Sequence, residues 1–316
     1  MAPILHFLLH LRLHYQLGIL SGCYLTGALF VIQLDVTTFW LQFVNVHVLL
    51  FAGATAFNSY WDKDEGPIGG LRNPPPMQRW MRDSSMLMQF AGLVWAYSVS
   101  LSFAIVYVCS MVLFWLYSTP LVRWKSHPIL SMIAIAGSTG VGGFLMGYLA
   151  GGGQLQLSLL LPIVGVSFIL LSMYPVSQLF QVEEDTKRGD RTFASVFGLK
   201  GVQNFFLFSY AFGIFLLALG LSTVDHIMAG FFLIVAGLSG FLIWFYFSQL
   251  QCKPSEYPLV MRIKWLASSL FVFFILVCYI QIHVIDAGRI FERGNHRLAL
   301  GLEWIIHSNT FTILFH

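Results

Sequence analysis

The chain has 316 residues, of which 57% are hydrophobic and 10% are charged. Soluble domains carry roughly a quarter charged residues, so lipid rather than water is the main solvent of this protein. The net charge of +3, with basic residues scattered through the loops, argues against nucleic acid as a partner. The four cysteines are widely spaced and show neither a metal-site spacing nor a disulfide framework.

The apolar runs of the chain predict an all-α, polytopic membrane protein. A helix needs about 20 mostly apolar residues to cross the bilayer core, and the runs lack the alternation of barrel strands. We expect about nine transmembrane helices. The runs fall near residues 16–34, 38–57, 86–101, 103–117, 128–150, 155–175, 203–222, 226–249 and 263–284.

Lys and Arg are concentrated at one end of these predicted helices. They precede the first run and follow the second, fourth, sixth and eighth runs, whereas the opposite connections contain none. Basic loops are retained on the cytoplasmic side. The pattern predicts a cytoplasmic N-terminus and cytoplasmic loops, in a bacterial inner membrane or an organellar or endoplasmic reticulum membrane. We interpret residues 1–285 as one transmembrane domain and 286–316 as a C-terminal tail with the apolar content of an interfacial helix.

The few acidic residues are clustered at this same end. Of fourteen acidic residues, four lie within residues 62–83 and four within residues 183–190. Asn58 and Asp62 are four residues apart at the end of the second predicted helix, so their side chains share one face. The glycines and prolines that follow forbid regular helix.

The second cluster repeats this spacing, because Gln181 and Asp185 are also four residues apart. Asp83 and Asp190, taken singly, are interpreted as solvated surface residues. Mg²⁺ prefers oxygen ligands, usually one or two carboxylates with waters and phosphate oxygens. Two carboxylate clusters rimmed by Lys and Arg therefore suit a diphosphate, whose remaining oxygens the basic residues take. An aromatic-rich apolar interior suits an isoprenoid tail and can stabilise a carbocation.

Three segments follow the second, fourth and sixth runs in order. They are Asn58-x-x-x-Asp62-x-Asp64, Tyr117-Ser-x-Pro-x-x-Arg123-x-Lys125, and residues 182–198 with their acidic run and Gly-x-x-Thr-like end. Together they resemble the motifs of the UbiA superfamily of intramembrane prenyltransferases. The resemblance covers roughly residues 15–285 and implies a helical bundle around a central cavity that holds a prenyl diphosphate.

The resemblance also implies roles for individual residues, with Mg²⁺ as the cofactor. It implies catalytic roles for Asn58, Asp62 and Asp185. It implies metal binding by Asn58, Asp62, Asp64, Glu65, Glu183, Glu184 and Asp185. It implies diphosphate binding by Arg72, Arg123, Lys125 and Lys187, and acceptor binding by Gln178, Gln181 and Tyr117.

The chain departs from the family pattern at three positions. Gly66 stands where the family often has a further aspartate, so Asp64 or Glu65 would substitute for it. Gln178 and Gln181 stand where the second motif usually opens with aspartates, and a glutamine carbonyl can ligate but carries no charge.

The predicted function is Mg²⁺-dependent transfer of a prenyl group from its diphosphate to a lipophilic acceptor, aromatic or a quinone precursor, within the membrane. The alternative is a terpene cyclase of the same type, which acts on the prenyl diphosphate without an acceptor. A transporter or lipid-binding scaffold is a third hypothesis. It predicts ionisable residues in the middle of spans and internal repeats, and neither is evident in the sequence.

Overall fold

A computed structural model describes residues 2–286 of the chain. The regular secondary structure of this part of the chain is helical, apart from a single bridge between Ile68 and Leu71. The predicted all-α fold is confirmed. The α-helices in chain order are α1 Ala2–Leu11, α2 Leu13–Ile19, α3 Gly22–Ala28, α4 Val36–Val44, α5 Ala52–Asp62, α6 Arg79–Tyr97, α7 Leu101–Ser118, α8 Pro128–Ile135, α9 Gly142–Ala150, α10 Leu160–Met173, α11 Val182–Arg188, α12 Phe193–Ser222, α13 His226–Phe247 and α14 Tyr257–Ile280.

Seven helical segments of the described chain are long and apolar enough to cross a membrane. They coincide with seven of the nine predicted runs. The run at 16–34 is divided between α2 and α3, and the run at 86–101 lies in α6, whose first turns carry Arg79, Arg82 and Asp83. The predicted count of nine is therefore approximate. The seven segments are Val36–Asp62, Leu101–Ser118, Pro128–Ala150, Leu157–Arg188, Phe193–Ser222, His226–Phe247 and Pro254–Ile285.

Small residues let the helices approach one another closely. A β-carbon on Gly147 of α9 would lie 1.9 Å from the carbonyl oxygen of Tyr24 in α3. A β-carbon on Gly27 would likewise lie 2.4 Å from the carbonyl oxygen of Phe144. Contact between helix backbones through glycine is a common way of packing helices where no hydrophobic effect drives their association.

Several spans contain irregular turns that place the loop residues. A π-helical turn at Asn45–Phe51 joins α4 to α5, and another at Ala136–Val141 joins α8 to α9. Pro175, which lacks an amide hydrogen, begins a 3₁₀ segment, Pro175–Gln181, between α10 and α11. The polar residues at the ends of α5 and α11 therefore lie at the ends of two membrane-spanning segments, Val36–Asp62 and Leu157–Arg188.

The chain divides into a compact unit, Met1–Ile275, and a second unit, Leu276–His316. The first unit contains every predicted site residue. In the second, the structure describes the end of α14 and a π-helical turn, Gln281–Asp286. The predicted boundary at residue 285 stays a prediction, and the predicted interfacial helix of the tail falls on residues 287–316, outside the described residues.

Candidate active site

A cavity of about 280 Å³ lies among the helices of the first unit. At one end its lining is polar and includes Asn58, Asp62 and Lys125. Along the rest of its length the lining is largely apolar, with Ile169 and Phe232 among its residues. Most pockets that bind small molecules combine an apolar wall with a few converging polar groups in this way.

Asp62 is the centre of the polar end. Its side chain is 2% exposed and pairs through Oδ2 with Lys125 Nζ at 2.6 Å. Asn58 Nδ2 donates to the same oxygen at 2.7 Å, which confirms that Asn58 and Asp62 share one helix face. Asp62 Oδ1 lies 3.4 Å from Arg123 Nη1. Helix α5 ends here because Lys63 adopts a left-handed conformation with φ of 50°.

Arg188 joins the two acidic segments. Its guanidinium donates to the Asp62 carbonyl oxygen at 2.6 Å and to Asp64 Oδ1 at 2.8 Å. The same group lies 3.3 Å from Glu184 Oε1 and 3.8 Å from Asp185 Oδ1. Arg188 thus contacts two residues that precede it by more than 120 positions in the chain.

The loop after α7 also contacts the two acidic segments. Arg123 donates through Nε and Nη2 to the two oxygens of Asp190, at 3.0 and 2.9 Å, and Ser126 donates to the same carboxylate. Burial alone would raise the pKa of Asp190, but these hydrogen bonds hold it below its ordinary value. Burial alone would lower the pKa of Lys125, but the nearby Asp62 carboxylate raises it.

Asp190 is therefore a correction to the sequence interpretation. It is 5% exposed and bound by Arg123 and Ser126 of the loop after α7, so it is not a solvated surface residue. Its partners lie in a different loop of the chain, so sequence alone did not show its role. Asp83, by contrast, is exposed and pairs with the adjacent Arg82, as expected of a surface residue.

Four predicted metal or diphosphate ligands have exposed side chains, namely Glu65, Arg72, Glu183 and Lys187. Glu183 and Lys187 pair with each other at 2.7 Å on the solvent face of α11, with side chains 61% and 74% exposed. Residues three or four positions apart share a helix face, so Glu183 and Lys187 lie on a different face of α11 from Arg188. Arg72 is exposed and does not line the cavity. This geometry does not support metal binding by Glu183 or diphosphate binding by Lys187 and Arg72.

The position of the missing family aspartate is filled by another carboxylate. A β-carbon on Gly66 would lie 2.8 Å from Glu184 Oε2, and the Glu65 amide donates to Glu184 Oε1 at 3.2 Å. The Glu65 side chain itself is exposed. Glu184 of the second segment, rather than Asp64 or Glu65, is therefore the carboxylate that lies beside position 66.

The predicted acceptor residues divide into two groups. Gln181 and Tyr117 line the cavity; Gln181 donates to the Pro67 carbonyl oxygen at 3.2 Å, and the Tyr117 hydroxyl lies 3.1 Å from that of Tyr174. Gln178 is buried and accepts a hydrogen bond from the Ala194 amide at the start of α12. Gln178 thus satisfies a free backbone amide of that helix.

The polar end of the cavity fits a divalent cation whose coordination shell is completed by oxygens of the substrate. Across residues 2–286 no group of three or more Asp, Glu, His or Cys side chains is arranged to hold a metal ion. However, Asp62 Oδ1 is buried and accepts no hydrogen bond from any described residue. Mg²⁺ typically takes only one or two protein carboxylates and completes its shell with waters and phosphate oxygens. Asp62 and Asp64 are the carboxylates among the residues that line the cavity, and Asn58 lies beside Asp62.

Sequence reasoning missed several residues of this site. Arg188 had a usable signal, because it stands three residues after Asp185 and four after Glu184 on one face of α11. Arg12 and Lys264 gave no such signal. Both line the cavity, but they lie in α2's cap and in α14, far from the three motifs.

These features define a polytopic membrane protein with a cavity that is charged at one end and apolar along its length. The model of the UbiA prenyltransferase family matches residues 19–268. The chain belongs to this family, and it is an integral membrane prenyltransferase.

Solved structures show the same fold. A UbiA homolog from Archaeoglobus fulgidus bound to GPP and Mg²⁺ has 16% identity and a TM-score of 0.68, covering 87% of this chain and 99% of that chain. The homolog bound to DMAPP and Mg²⁺ has 16% identity and a TM-score of 0.67, covering 86% and 98%. A structure described as digeranylgeranylglyceryl phosphate synthase in membranes has 19% identity and a TM-score of 0.61, covering 89% and 100%. Comparison with curated protein sequences gives no match.

Proposed function

We propose that this protein transfers a prenyl group from a prenyl diphosphate to a lipophilic acceptor, aromatic or a quinone precursor, in a reaction that depends on Mg²⁺. The observation that carries the proposal is the convergence of Asp62, Lys125, Arg123 and Arg188 at one end of an apolar cavity. The structural relatives bound to GPP or DMAPP together with Mg²⁺ support this assignment.

The basic side chains of the cluster can exchange their carboxylate partners for the oxygens of a bound diphosphate. Lys125, Arg123 and Arg188 are each paired with a carboxylate within 4.0 Å. Asn58, Asp62 and Asp64 would hold Mg²⁺, which when bound supplies positive charge to the diphosphate oxygens. The three cations would then donate to the remaining oxygens as charge-assisted hydrogen bonds.

These basic side chains favour the departure of the diphosphate. The bond between the allylic carbon and the diphosphate oxygen breaks, and the diphosphate leaves with the electron pair. Lys125, Arg123 and Arg188 stabilise the charge that develops on that oxygen, because preorganised donors in a site shielded from water act strongly on it. The allylic carbon bonds to the acceptor, which gives up one proton. The net products are the prenylated acceptor, diphosphate and a proton.

The apolar part of the cavity supports the rest of the reaction. Phe114, Tyr117 and Phe232 are among the aromatic residues of its wall. Aromatic faces attract a cation, and an apolar wall suits an isoprenoid chain and keeps water from the allylic carbon. We place the charged loops and the N-terminus on the cytoplasmic side because the basic residues of the chain concentrate there.

The cyclase alternative requires the same cluster but no acceptor. Purified protein incubated with Mg²⁺ and radiolabelled farnesyl or geranylgeranyl diphosphate, with and without phenol or quinone precursors, separates the two. We expect a prenylated product only when an acceptor is present. A cyclic hydrocarbon formed from the donor alone would overturn the transferase assignment in favour of the cyclase.

A further inference from the structure

Helix α1, Ala2–Leu11, is a short apolar helix beside the membrane-spanning segments. Ten residues of α-helix rise about 15 Å, which is half the thickness of the bilayer core, so α1 is too short to cross it. Its sequence, APILHFLLHL, contains no Asp, Glu, Lys or Arg. The helix ends at Arg12, whose left-handed backbone, with φ of 47°, separates it from α2. Helix α1 is therefore an element of its own.

One face of α1 packs against the bundle, and the described residues leave the other face uncovered. Leu11 lies in one hydrophobic cluster with Ala52 and Ala56 of α5. The Phe7 ring lies 5.7 Å from the Trp80 ring at the start of α6. Side chains three and four positions apart share a helix face, so the uncovered face is one continuous apolar surface. It consists of four large side chains that are 41–62% exposed, namely Ile4, Leu5, Leu8 and Leu9.

The contact with α5 indicates the depth of α1 in the membrane. The spanning segment Val36–Asp62 has 27 residues and is about 40 Å long, about 10 Å more than the bilayer core. Ala56 and Ala52 precede Asp62 by six and ten residues, so with that segment centred they lie about 4 and 10 Å inside the core. Leu11 is therefore at the depth of the outer part of the acyl chains, where interfacial helices bury their apolar faces.

The C-terminal end of α1 is tied to the loop of residues 66–76. His10 donates through Nε2 to the Pro75 carbonyl oxygen at 2.7 Å, and Arg12 donates to the Gly69 carbonyl oxygen at 2.9 Å. Ile68 of this loop is 4% exposed and lines the cavity. The position of α1 thus bears directly on a loop that forms part of the cavity wall.

We propose that α1 lies in the membrane interface at the polar end of the cavity, with its uncovered face among the acyl chains, and that it thereby holds the 66–76 loop in place. Lipid is the partner because this face lies at the depth of a spanning segment and has no Asp, Glu, Lys or Arg to desolvate. A second copy of the chain would be the other occupant. Four side chains are few, however, against the roughly 20–30 residues per partner of a stable protein interface.

Spin labels on the full chain in lipid nanodiscs test the placement of α1. The label is attached at Leu8→Cys, in a background where the accessible cysteines, Cys109 and Cys252, are replaced by serine. Matched labels at Ile234→Cys, exposed in the middle of α13, and at Lys187→Cys, on the solvent face of α11, report lipid and water. Collision rates are measured with oxygen, which concentrates in the acyl region, and with a water-soluble nickel chelate.

We expect the label at position 8 to resemble the label at position 234, with more oxygen and fewer nickel collisions than the label at position 187. A label at position 8 that collides mainly with the nickel chelate would overturn the inference, because α1 would lie in water. Protection from both reagents would also overturn it, because protein would cover the surface. Line broadening that disappears on dilution with unlabelled protein would then identify a second copy as the occupant.

Hydrogen exchange tests whether α1 holds the loop. Leu8→Glu places a charge among the acyl chains, whereas Leu8→Met, the matched control, keeps the surface apolar. The amides of Ile68 and Leu71 report the state of the loop, since each donates to the carbonyl oxygen of the other at 2.9 Å. We expect their exchange in nanodiscs to be about tenfold faster in Leu8→Glu and unchanged in Leu8→Met, as for the loss of one hydrogen bond.

Unchanged loop exchange in Leu8→Glu would overturn the coupling between α1 and the loop. Exchange in α10, inside the bundle, shows whether the variant is folded. If it is not, Leu8→Ser, an uncharged polar substitution, takes its place with the same expected direction. Neither experiment needs turnover, so the outcome is independent of the proposed prenyl transfer.

Discussion

Replacing Asp62 with asparagine removes one negative charge from the centre of the polar cluster and changes almost nothing in shape. The Asn58 side-chain amide could still donate to the carbonyl oxygen of the new asparagine. Lys125, whose side chain is 10% exposed, would lose its ion-pair partner at 2.6 Å. Loss of one partner of a buried ion pair costs about 3–5 kcal/mol, because the other charge stays buried. Loss of one preorganised charge from a catalytic site lowers turnover by about 10²–10³.

A double variant separates these two effects. Asp62→Asn combined with Lys125→Met removes the stranded ammonium, so we expect it to recover about 1–3 kcal/mol of the stability lost in Asp62→Asn. Turnover is expected to stay low, because Asp62 is assigned to Mg²⁺ and Lys125 to the diphosphate. Asp83→Asn is the matched control, since that carboxylate is exposed and pairs only with its neighbour Arg82 among the described residues.

The assay combines thermal unfolding in detergent with release of diphosphate from a radiolabelled donor. The order of stability expected is wild type and Asp83→Asn first, then the double variant, then Asp62→Asn. Near-normal turnover in a folded Asp62→Asn protein would remove Asp62 from the site. Stability losses that simply add in the double variant would show that Asp62 and Lys125 do not depend on each other.

Two further perturbations test the packing around the cluster. Because the pKa of Asp190 is lowered in the folded protein, its pairing with Arg123 stabilises the fold above the unfolded pKa of about 4 and is lost as the pH falls through the lowered value. The thermal midpoints of wild type and Asp190→Asn should therefore differ at neutral pH and converge below about pH 4; a difference that is independent of pH would contradict this. Gly66→Asp should lower both stability and turnover, because it would place a second carboxylate beside Glu184, whose Oε2 lies 2.8 Å from the β-carbon position, and Glu184→Ala should relieve the loss. A fully stable Gly66→Asp single variant would refute that reading of position 66.

Hydrophobic patterning was enough to predict the helical membrane fold. Seven of the predicted runs are spans by length and composition, because lipid requires long helices with their backbone groups paired internally. It was less accurate where polar residues enter a helix, as in α6, or where a run divides into two short helices, as at α2 and α3. The π-helical turns inside two spans have no pattern that marks them.

The candidate site was predictable to the extent that its partners are local. The spacing of Asn58 and Asp62 predicted their shared face, and a hydrogen bond of 2.7 Å joins them. Helical spacing could also have indicated that Glu183 and Lys187 pair away from Arg188. The long-range partners were not predictable, because only the packing of distant helices creates them.

The contact of Tyr15 with Lys264 illustrates this limit. The two residues are 249 positions apart. Neither belongs to a motif, and a lysine near the start of an apolar run is equally typical of a membrane anchor. Only the fold shows that Lys264 is buried in the cavity wall and has a tyrosine rather than a carboxylate beside it.

The most direct measurement of the central claim is equilibrium binding of geranyl S-thiolodiphosphate, an analogue of the donor that resists ionisation, to the purified protein, with Mg²⁺ and with EDTA, in wild type and Asp62→Asn. If the polar cluster grips a metal-bound diphosphate, the wild type binds the analogue only with Mg²⁺, and Asp62→Asn loses most of that binding. Equal affinity with Mg²⁺ and with EDTA, or in both proteins, would contradict the account.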